Sequence, residues 1–312
     1  MIPDEWLDQA VYRLAGRIHR TPVTFDAREN LFLKWENHQI TGSFKVRGAF
    51  NKVLSLQPWE LQNGLVTASA GNHGLGVALA AQQVKTSVIV FASEHAVPAK
   101  LDALRKMGAE VRLVAGGYGN AERDAKLFAS RHQKTWISPY NDGQVIAGQG
   151  TLAIELMEQL APDLGRVWLV PAGGGGLVAG IGAALRRAAL RPKLVAVQSE
   201  ASAFLHALYH RGSQKDVVES ESLADGLAGP VESDSLTIPL VRQVVDDFIL
   251  VTEEEIARAI TLAWGLYEER IEGSAAVVLA AALFGKIKDR PAVLVISGRN
   301  IQPEVHGRLI IK

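Results

Sequence analysis

Short apolar runs alternate along this chain with longer stretches in which apolar residues recur every three or four positions. Residues 4–18 are the first such stretch. They are charged and amphipathic, and predict a helix ahead of the short strand Leu31-Phe32-Leu33-Lys34-Trp35. Residues 64–68 read as a strand ending in Ser69-Ala70-Gly71-Asn72-His73-Gly74, followed by an Ala-rich helix over 75–83 and an apolar strand over 87–91. A helix over 98–107, closed by Gly108, precedes a strand over 109–114, and further strands fall at 167–170, 193–198 and 292–296. Strands separated by helices of this length predict an α/β fold of parallel βαβ units with right-handed crossovers. Residues 213–234 break the alternation: polar, with Gly226, Gly229 and Pro230, they read as a long surface or active-site loop. No repeat or Pro/Ser-rich linker is visible, so two domains would require the chain to cross between them more than once.

At 312 residues the chain can bury one large core or two modest ones. Lys+Arg and Asp+Glu balance at 33 each, which argues against a nucleic-acid or anionic-membrane partner held by bulk charge. The absence of cysteine removes disulfides, thiolate nucleophiles and cysteine-ligated zinc, and fits a reducing compartment. Acidic residues follow Met1 where a signal peptide would carry bases, so a cytoplasmic protein is expected. The uncharged stretch of 19 residues from Val167 to Leu185 is nominally long enough to span a bilayer. Pro171 and the glycines at 173–176 divide it into a strand, a loop and a helix start.

Two segments carry most of the candidate chemistry. In Thr41-Gly42-Ser43-Phe44-Lys45-Val46-Arg47-Gly48-Ala49, one lysine sits in a small-residue turn at the start of a predicted helix. The helix dipole and burial both favour a neutral, nucleophilic amine there, although any single lysine is ordinarily a solvated one. Downstream, Pro171-Ala172-Gly173-Gly174-Gly175-Gly176-Leu177 links a strand to an Ala/Leu-rich helix, a loop suited to cradling a phosphate. A lysine able to carry a Schiff base, with a phosphate loop, is the minimum equipment of a pyridoxal-phosphate enzyme.

Other readings compete with this one. Residues 174–179 satisfy G-x-G-x-x-A after a strand, and Glu200 follows about twenty residues on, as in a nicotinamide-dependent dehydrogenase. That reading leaves the Lys45 segment unexplained. Segment 69–74 offers backbone amides to a substrate carboxylate or, more plainly, is a helix start capped by Ser69 or Asn72. His73 taken alone reads as a packing or hydrogen-bonding residue. Ser297-Gly298-Arg299-Asn300 ends the last strand, at a carboxyl edge where α/β proteins place ligands, or else is a tight turn. No P-loop and no H-E-x-x-H occurs and the eight histidines are scattered, so no metal site is expected.

Taken together, several segments resemble, over nearly the whole chain, the serine/threonine dehydratase and serine racemase branch of the tryptophan-synthase-like (fold type II) pyridoxal-phosphate enzymes. They are Lys34-Trp35-Glu36-Asn37 with residues 41–49, segment 69–74, Gly148-Gln149-Gly150-Thr151, residues 173–177, Ala224-Asp225-Gly226, Glu272-Gly273-Ser274 and residues 297–300. The resemblance implies two α/β domains, each with a mostly parallel central sheet, and pyridoxal 5′-phosphate in the cleft between them. Residues 1–47 and 144–312 would form the large cofactor-binding domain, and residues 48–143 the small domain. Lys45 would hold the cofactor and later move the substrate's α-proton, Phe44 would pack on the pyridine ring, and Asn72 would bond its 3-hydroxyl. Gly173, Gly174, Gly175, Gly176 and Leu177 would give N–H groups to the phosphate, and Ser297 would bond the pyridine nitrogen. Ser69, Ala70, Gly71, Asn72 and His73 would receive the substrate, with its carboxylate at 69–72. Glu272 matches a family position near the active site without an assigned role. A homodimer is expected on the same ground.

A hydroxyl beside the ring nitrogen leaves the ring largely neutral, so charge released at Cα is better expelled with a β-leaving group than stored on the ring. Racemising members carry a second serine where this chain has Ala70, which implies that dehydration dominates. Metal-activated members place an acid at the end of the strand after the glycine loop, where this chain reads Val197-Gln198-Ser199-Glu200-Ala201. The usual Ser-Gly-Gly-Asn reads Ser-Gly-Arg-Asn, with Arg299 expected to point to solvent. The expectation is therefore an L-threonine/L-serine dehydratase (ammonia-lyase) giving 2-oxobutanoate or pyruvate plus ammonia. The chain ends soon after residue 300, so no regulatory domain and no isoleucine feedback are expected. Within the fold the alternatives are a dehydratase for another β-hydroxy amino acid such as 3-hydroxyaspartate, a serine racemase, or a β-replacement enzyme of the cysteine-synthase kind. Outside it they are the dehydrogenase and a catalytically dead binding homologue.

Overall fold

The computed structural model describes residues 2–160 and 165–311. Ten strands are seen among them: β1 Val23–Asp26, β2 Leu31–Trp35, β3 Leu65–Ala68, β4 Val88–Ser93, β5 Glu110–Val114, β6 Thr135–Trp136, β7 Val167–Pro171, β8 Lys193–Ser199, β9 Asp247–Val251 and β10 Ala292–Ile296. They form a six-stranded sheet in the order β1-β2-β10-β7-β8-β9 and a four-stranded sheet in the order β5-β4-β3-β6. Every pairing is parallel except β1 with β2. The chain thus leaves the larger sheet after β2, builds the smaller one, and returns at β7.

The expected strands are present with ends displaced by a residue or two, the ordinary scatter of boundaries. The helix expected over 4–18 stops at Leu14, because Gly16 turns the backbone into the left-handed region at φ 70°. β1, β6 and β9 were not legible beforehand. β1 and β6 are short, with only one buried residue between them, so alternation had little length in which to show.

Parallel strands covered on both faces become continuous apolar runs, and β7 and β10 are buried at every position. One face of the larger sheet packs on helices Gly143–Leu160 and Gly176–Arg187, the other on Glu253–Tyr267 and Gly273–Leu283. The smaller sheet lies between Asn72–Gln83 and Pro98–Lys106 on one side and Tyr118–Arg131 on the other. Helix Lys45–Leu54 packs between Asn72–Gln83 and Gly143–Leu160, and so joins the two halves. At its contact with Gly143–Leu160 a Cβ on Gly148 would stand 2.6 Å from the Arg47 carbonyl. The Gly148–Thr151 segment therefore serves close helix packing, not the site.

A buried charge cluster fixes that helix. Arg47 is 1% exposed and donates twice to Glu36, at 2.8 and 2.7 Å, and once to Glu155 at 2.9 Å. Lys34, fully buried on β2, donates to Glu155 at 2.5 Å, Gln159 at 2.8 Å and the Thr21 carbonyl at 2.8 Å. The two cations and two carboxylates balance, and planar guanidinium geometry lets Arg47 satisfy both carboxylates at once. Replacing Arg47 by Met would leave Glu36 charged, buried and without its main partner, at a cost of about 3–5 kcal/mol. The expected outcome is a clear fall in the urea midpoint for Arg47→Met, measured by circular dichroism. An unchanged midpoint would show that the cluster contributes nothing to stability.

Candidate active site

The carboxyl ends of β3, β4, β7 and β10 converge on one cavity of about 670 Å³ between the two sheets. Every residue expected to hold the cofactor or receive the substrate lies on its wall: Phe44, Lys45, Ser69, Ala70, Gly71, Asn72, His73, Gly173, Gly174, Gly175, Gly176, Leu177 and Ser297. The 213–234 loop contributes Glu219 and residues 225–230, so it is an active-site loop, folded locally into a short 3-10 turn at Asp225–Leu227.

Lys45 is the first residue of helix Lys45–Leu54, as expected, and its Nζ donates to the Pro139 carbonyl at 2.9 Å. Burial pushes its ammonium down to about 8, against the opposing pull of the Glu272 charge. The segment before it is stitched to the end of β10: Phe44 N–H donates to the Ser297 carbonyl at 3.0 Å, and Arg299 N–H to the Gly42 carbonyl at 2.9 Å. Ser297 is 1% exposed. Among the described residues, its hydroxyl has no hydrogen-bond partner.

Gly175, at φ 86°, ends the loop after β7 and precedes helix Gly176–Arg187. The amides of Gly173, Gly174, Gly175, Gly176 and Leu177 find no acceptor among the described residues. Together with the helix terminus they present unpaired N–H groups to the cavity. A Cβ on Gly174 would overlap the ring of Tyr140, which lies against the loop and whose hydroxyl accepts from Glu232 N–H at 3.0 Å. Glu200, which the dinucleotide reading requires, is exposed and is not on the cavity wall.

Helix Asn72–Gln83 starts without a side-chain cap, which corrects the expectation that Ser69 or Asn72 caps it. Ser69 Oγ instead accepts from Gly71 N–H at 3.2 Å, and Asn72 turns toward Glu272. The first amides of the helix stay open to an anion. His73 is a neutral structural residue: burial brings its pKa to about 3, and Nε2 meets the Ile137 carbonyl at 3.2 Å.

Glu272, 6% exposed, joins these pieces. Its Oε1 accepts from Asn72 Nδ2 at 2.7 Å and its Oε2 from Asn300 N–H at 2.9 Å, while Asn300 Nδ2 donates to Asn72 Oδ1 at 2.5 Å. Burial raises the Glu272 carboxyl to about 7, with the Asp225 charge adding to it. A Cβ on Gly298 would lie 2.6 Å from Glu272 Oε1, so glycine is needed there. At the next position none is needed: Arg299 is exposed, has no left-handed φ and is not on the cavity wall. Tyr140, Glu219 and Lys100 were missed, because each faces the cavity from a segment with no local motif.

The sequence profile of the pyridoxal-phosphate dependent enzymes matches residues 15–298. The chain is 38% identical over 319 residues to the L-threonine ammonia-lyase of Thermotoga maritima, covering 100% of this chain and 79% of the relative. It is 38% identical over 303 residues to the catabolic L-threonine dehydratase of Escherichia coli K12, covering 94% and 91%. The structure of the Dictyostelium discoideum serine racemase superposes with a TM-score of 0.86 at 35% identity, covering 96% of this chain and 98% of that one. Profile, relatives and fold agree, and this chain is a member of the pyridoxal-phosphate-dependent enzyme family, in its fold type II serine/threonine dehydratase branch.

Proposed function

We propose that this chain is an L-threonine/L-serine ammonia-lyase, converting threonine to 2-oxobutanoate and serine to pyruvate, each with ammonia. The observation that carries this reading is one cavity shared by a depressed-pKa lysine, five loop amides and the hydroxyl of Ser297, the amides and hydroxyl being without partners among the described residues. Those groups fit pyridoxal phosphate. The 173–177 amides suit its phosphate, Lys45 Nζ its aldehyde carbon, Asn72 its 3-hydroxyl and Ser297 its ring nitrogen, with Phe44 beside the ring. When bound, the cofactor supplies an electron-withdrawing ring conjugated to the substrate's α-carbon.

The protein's own residues do the remaining work. The uncapped start of helix Asn72–Gln83 holds the substrate carboxylate, the dipole and free amides favouring a negative charge there. Lys45 Nζ takes the α-proton; its lowered pKa keeps a useful share of the amine neutral near physiological pH. Ser297 meets the ring nitrogen with a neutral hydroxyl, which favours departure of the β-hydroxyl over transamination. Water leaves across Cα–Cβ, and water returns when the released enamine hydrolyses to keto acid and ammonia. Ala70 contributes no hydroxyl for protonating the second face of Cα, which favours the lyase over a racemase. Selectivity between threonine and serine rests on one methyl group, worth about 1–3 kcal/mol in an apolar pocket. The reading carries with it the division into 1–47 with 144–312 and 48–143, a homodimer, and a place in the cytoplasm. It fits a chain in which, among the described residues, no helix is long and apolar enough to cross a membrane.

Holoenzyme mixed with L-threonine should show its visible band shift while 2-oxobutanoate accumulates. A band without keto acid from threonine or serine would overturn the assignment. Gly174→Ala should weaken retention of the cofactor at least tenfold by equilibrium dialysis, and Arg299→Gly should change it less than twofold. With cofactor-free protein, the rate of band growth on adding pyridoxal phosphate should rise with pH and level off near 8, since only the neutral amine reacts. Below that point the rate should fall about tenfold per pH unit. Glu272→Gln removes the charge that holds the amine protonated, so its profile should level off at lower pH.

A further inference from the structure

A second charge cluster joins helix Tyr118–Arg131, on the smaller sheet, to the segment that follows the Asp225–Leu227 turn. Glu122 and Lys126 lie one turn apart on the helix, and Glu232 comes from the segment. Lys126 Nζ is 2.7 Å from Glu232 Oε2 and 3.3 Å from Glu122 Oε1, and the two acid side chains are 18% and 13% exposed. Despite that approach, Glu122 Oε1 is buried with no hydrogen-bond partner among the described residues, and so is Glu232 Oε1. A buried oxygen without a donor is costly, and one proton held between the two acids supplies the donor that both lack. Burial raises the Glu122 carboxyl above its ordinary range; Lys126 opposes the rise and the Glu232 charge adds to it. Tyr118 on the same helix and Tyr140 face the pair as well, and burial keeps both phenols neutral.

Glu232 in turn reaches both sides of the glycine loop. Its N–H donates to the Tyr140 hydroxyl at 3.0 Å, and Tyr140 is what a Cβ on Gly174 or Gly176 would meet first. Its Oε2 accepts from Asn141 Nδ2 at 3.1 Å, and Asn141 Oδ1 accepts from Leu236 N–H at 2.9 Å. The next residue, Thr237, donates from its hydroxyl to the Gly174 carbonyl at 2.6 Å. Gly174 is thus set between Tyr140 and Thr237, and both trace back to Glu232.

We propose that Glu232 is a positioning residue for the glycine loop, braced by Lys126 and by a proton it shares with Glu122, so that the loop loosens when that proton leaves. The proposal rests on the assignment of the cofactor phosphate to residues 173–177 and deepens it. With the proton in place Glu122 donates to Glu232, one carboxylate faces one ammonium, and no buried oxygen is left bare. Without it two carboxylates face one ammonium, and their repulsion drives Glu232 away from the helix. Glu122 holds the proton more tightly in the folded chain than in solvent. The brace is therefore complete at lower pH and is lost as pH rises through the raised Glu122 pKa.

The test compares the parent with Glu122→Gln, whose amide N–H replaces the shared proton at every pH. Dissociation constants for pyridoxal phosphate are measured by equilibrium dialysis from pH 5.5 to 8.5, and titrations of Lys45 and of the phosphate cancel in the ratio of the two proteins. The parent should match Glu122→Gln at pH 5.5 and bind at least threefold more weakly at pH 8.5. Pyridoxal, which lacks the phosphate, should give a ratio that stays flat. Without cofactor, the thermal midpoint of Glu122→Gln should exceed the parent's by a margin that grows over the same range. Glu232→Ala should weaken pyridoxal phosphate at least fivefold at pH 5.5. A ratio flat with pH, a ratio that moves equally for pyridoxal, or a Glu232→Ala protein within twofold of the parent would each overturn the proposal. A Gly174→Ala variant that keeps the cofactor like the parent would take the phosphate off the loop and the brace's role with it, while the thermal margin still decides whether the proton is shared.

Discussion

The guanidinium of Arg47, gripped by Glu36 and Glu155 in the protein interior, is the contact on which the site depends. Lys45 is two residues earlier on the same helix, so whatever fixes Arg47 fixes the origin of the lysine side chain. Glu36 follows directly on β2, and Glu155 lies on helix Gly143–Leu160, which makes the clamp a three-way joint between strand, lysine helix and packing helix. Buried ion pairs are poor sources of net stability, because desolvation offsets much of the attraction. Their geometry is exacting, however, and the lysine proposed to meet a cofactor carbon would benefit from that exactness.

A second web closes the other side of the cavity. Glu272 receives Asn72 from the smaller sheet's loop and Asn300 from the turn after β10, and Asn300 in turn reaches the Thr41 carbonyl at 2.8 Å. Four chain segments, at Thr41, Asn72, Glu272 and Asn300, thereby hold one another in register. The web also orients the Asn72 amide: its oxygen is taken by Asn300 and one hydrogen by Glu272, which leaves the other N–H for a ligand. Glu272 is thus a positioning residue whose charge is felt by the neighbouring lysine, with its own proton affinity raised by burial.

Legibility followed the physics of each element. The buried strands 167–170 and 292–296 announced themselves as apolar runs, since both faces are covered. Strand β9, with mixed burial, and the two-residue β6 carried no such pattern. Lys45, the glycine loop and Ser297 were legible because each lies in a turn whose residue types are unusual for ordinary packing. Tyr140, Lys100 and Glu219 have no such context, and only the folding of distant segments brings them to the wall.

By itself, then, the sequence determined the α/β alternation, the lysine at a helix start and the glycine loop, because local periodicity and turn chemistry are written within a few neighbouring residues. It also determined that position 70 carries no hydroxyl. Only the tertiary structure decided that these pieces share one cavity, that helix Asn72–Gln83 begins uncapped, and that Glu272 ties Asn72 to Asn300. The same holds for Arg299, which is exposed and off the cavity wall. Such facts depend on contacts between residues as far as 259 positions apart, and no local rule of propensity or spacing reaches that far.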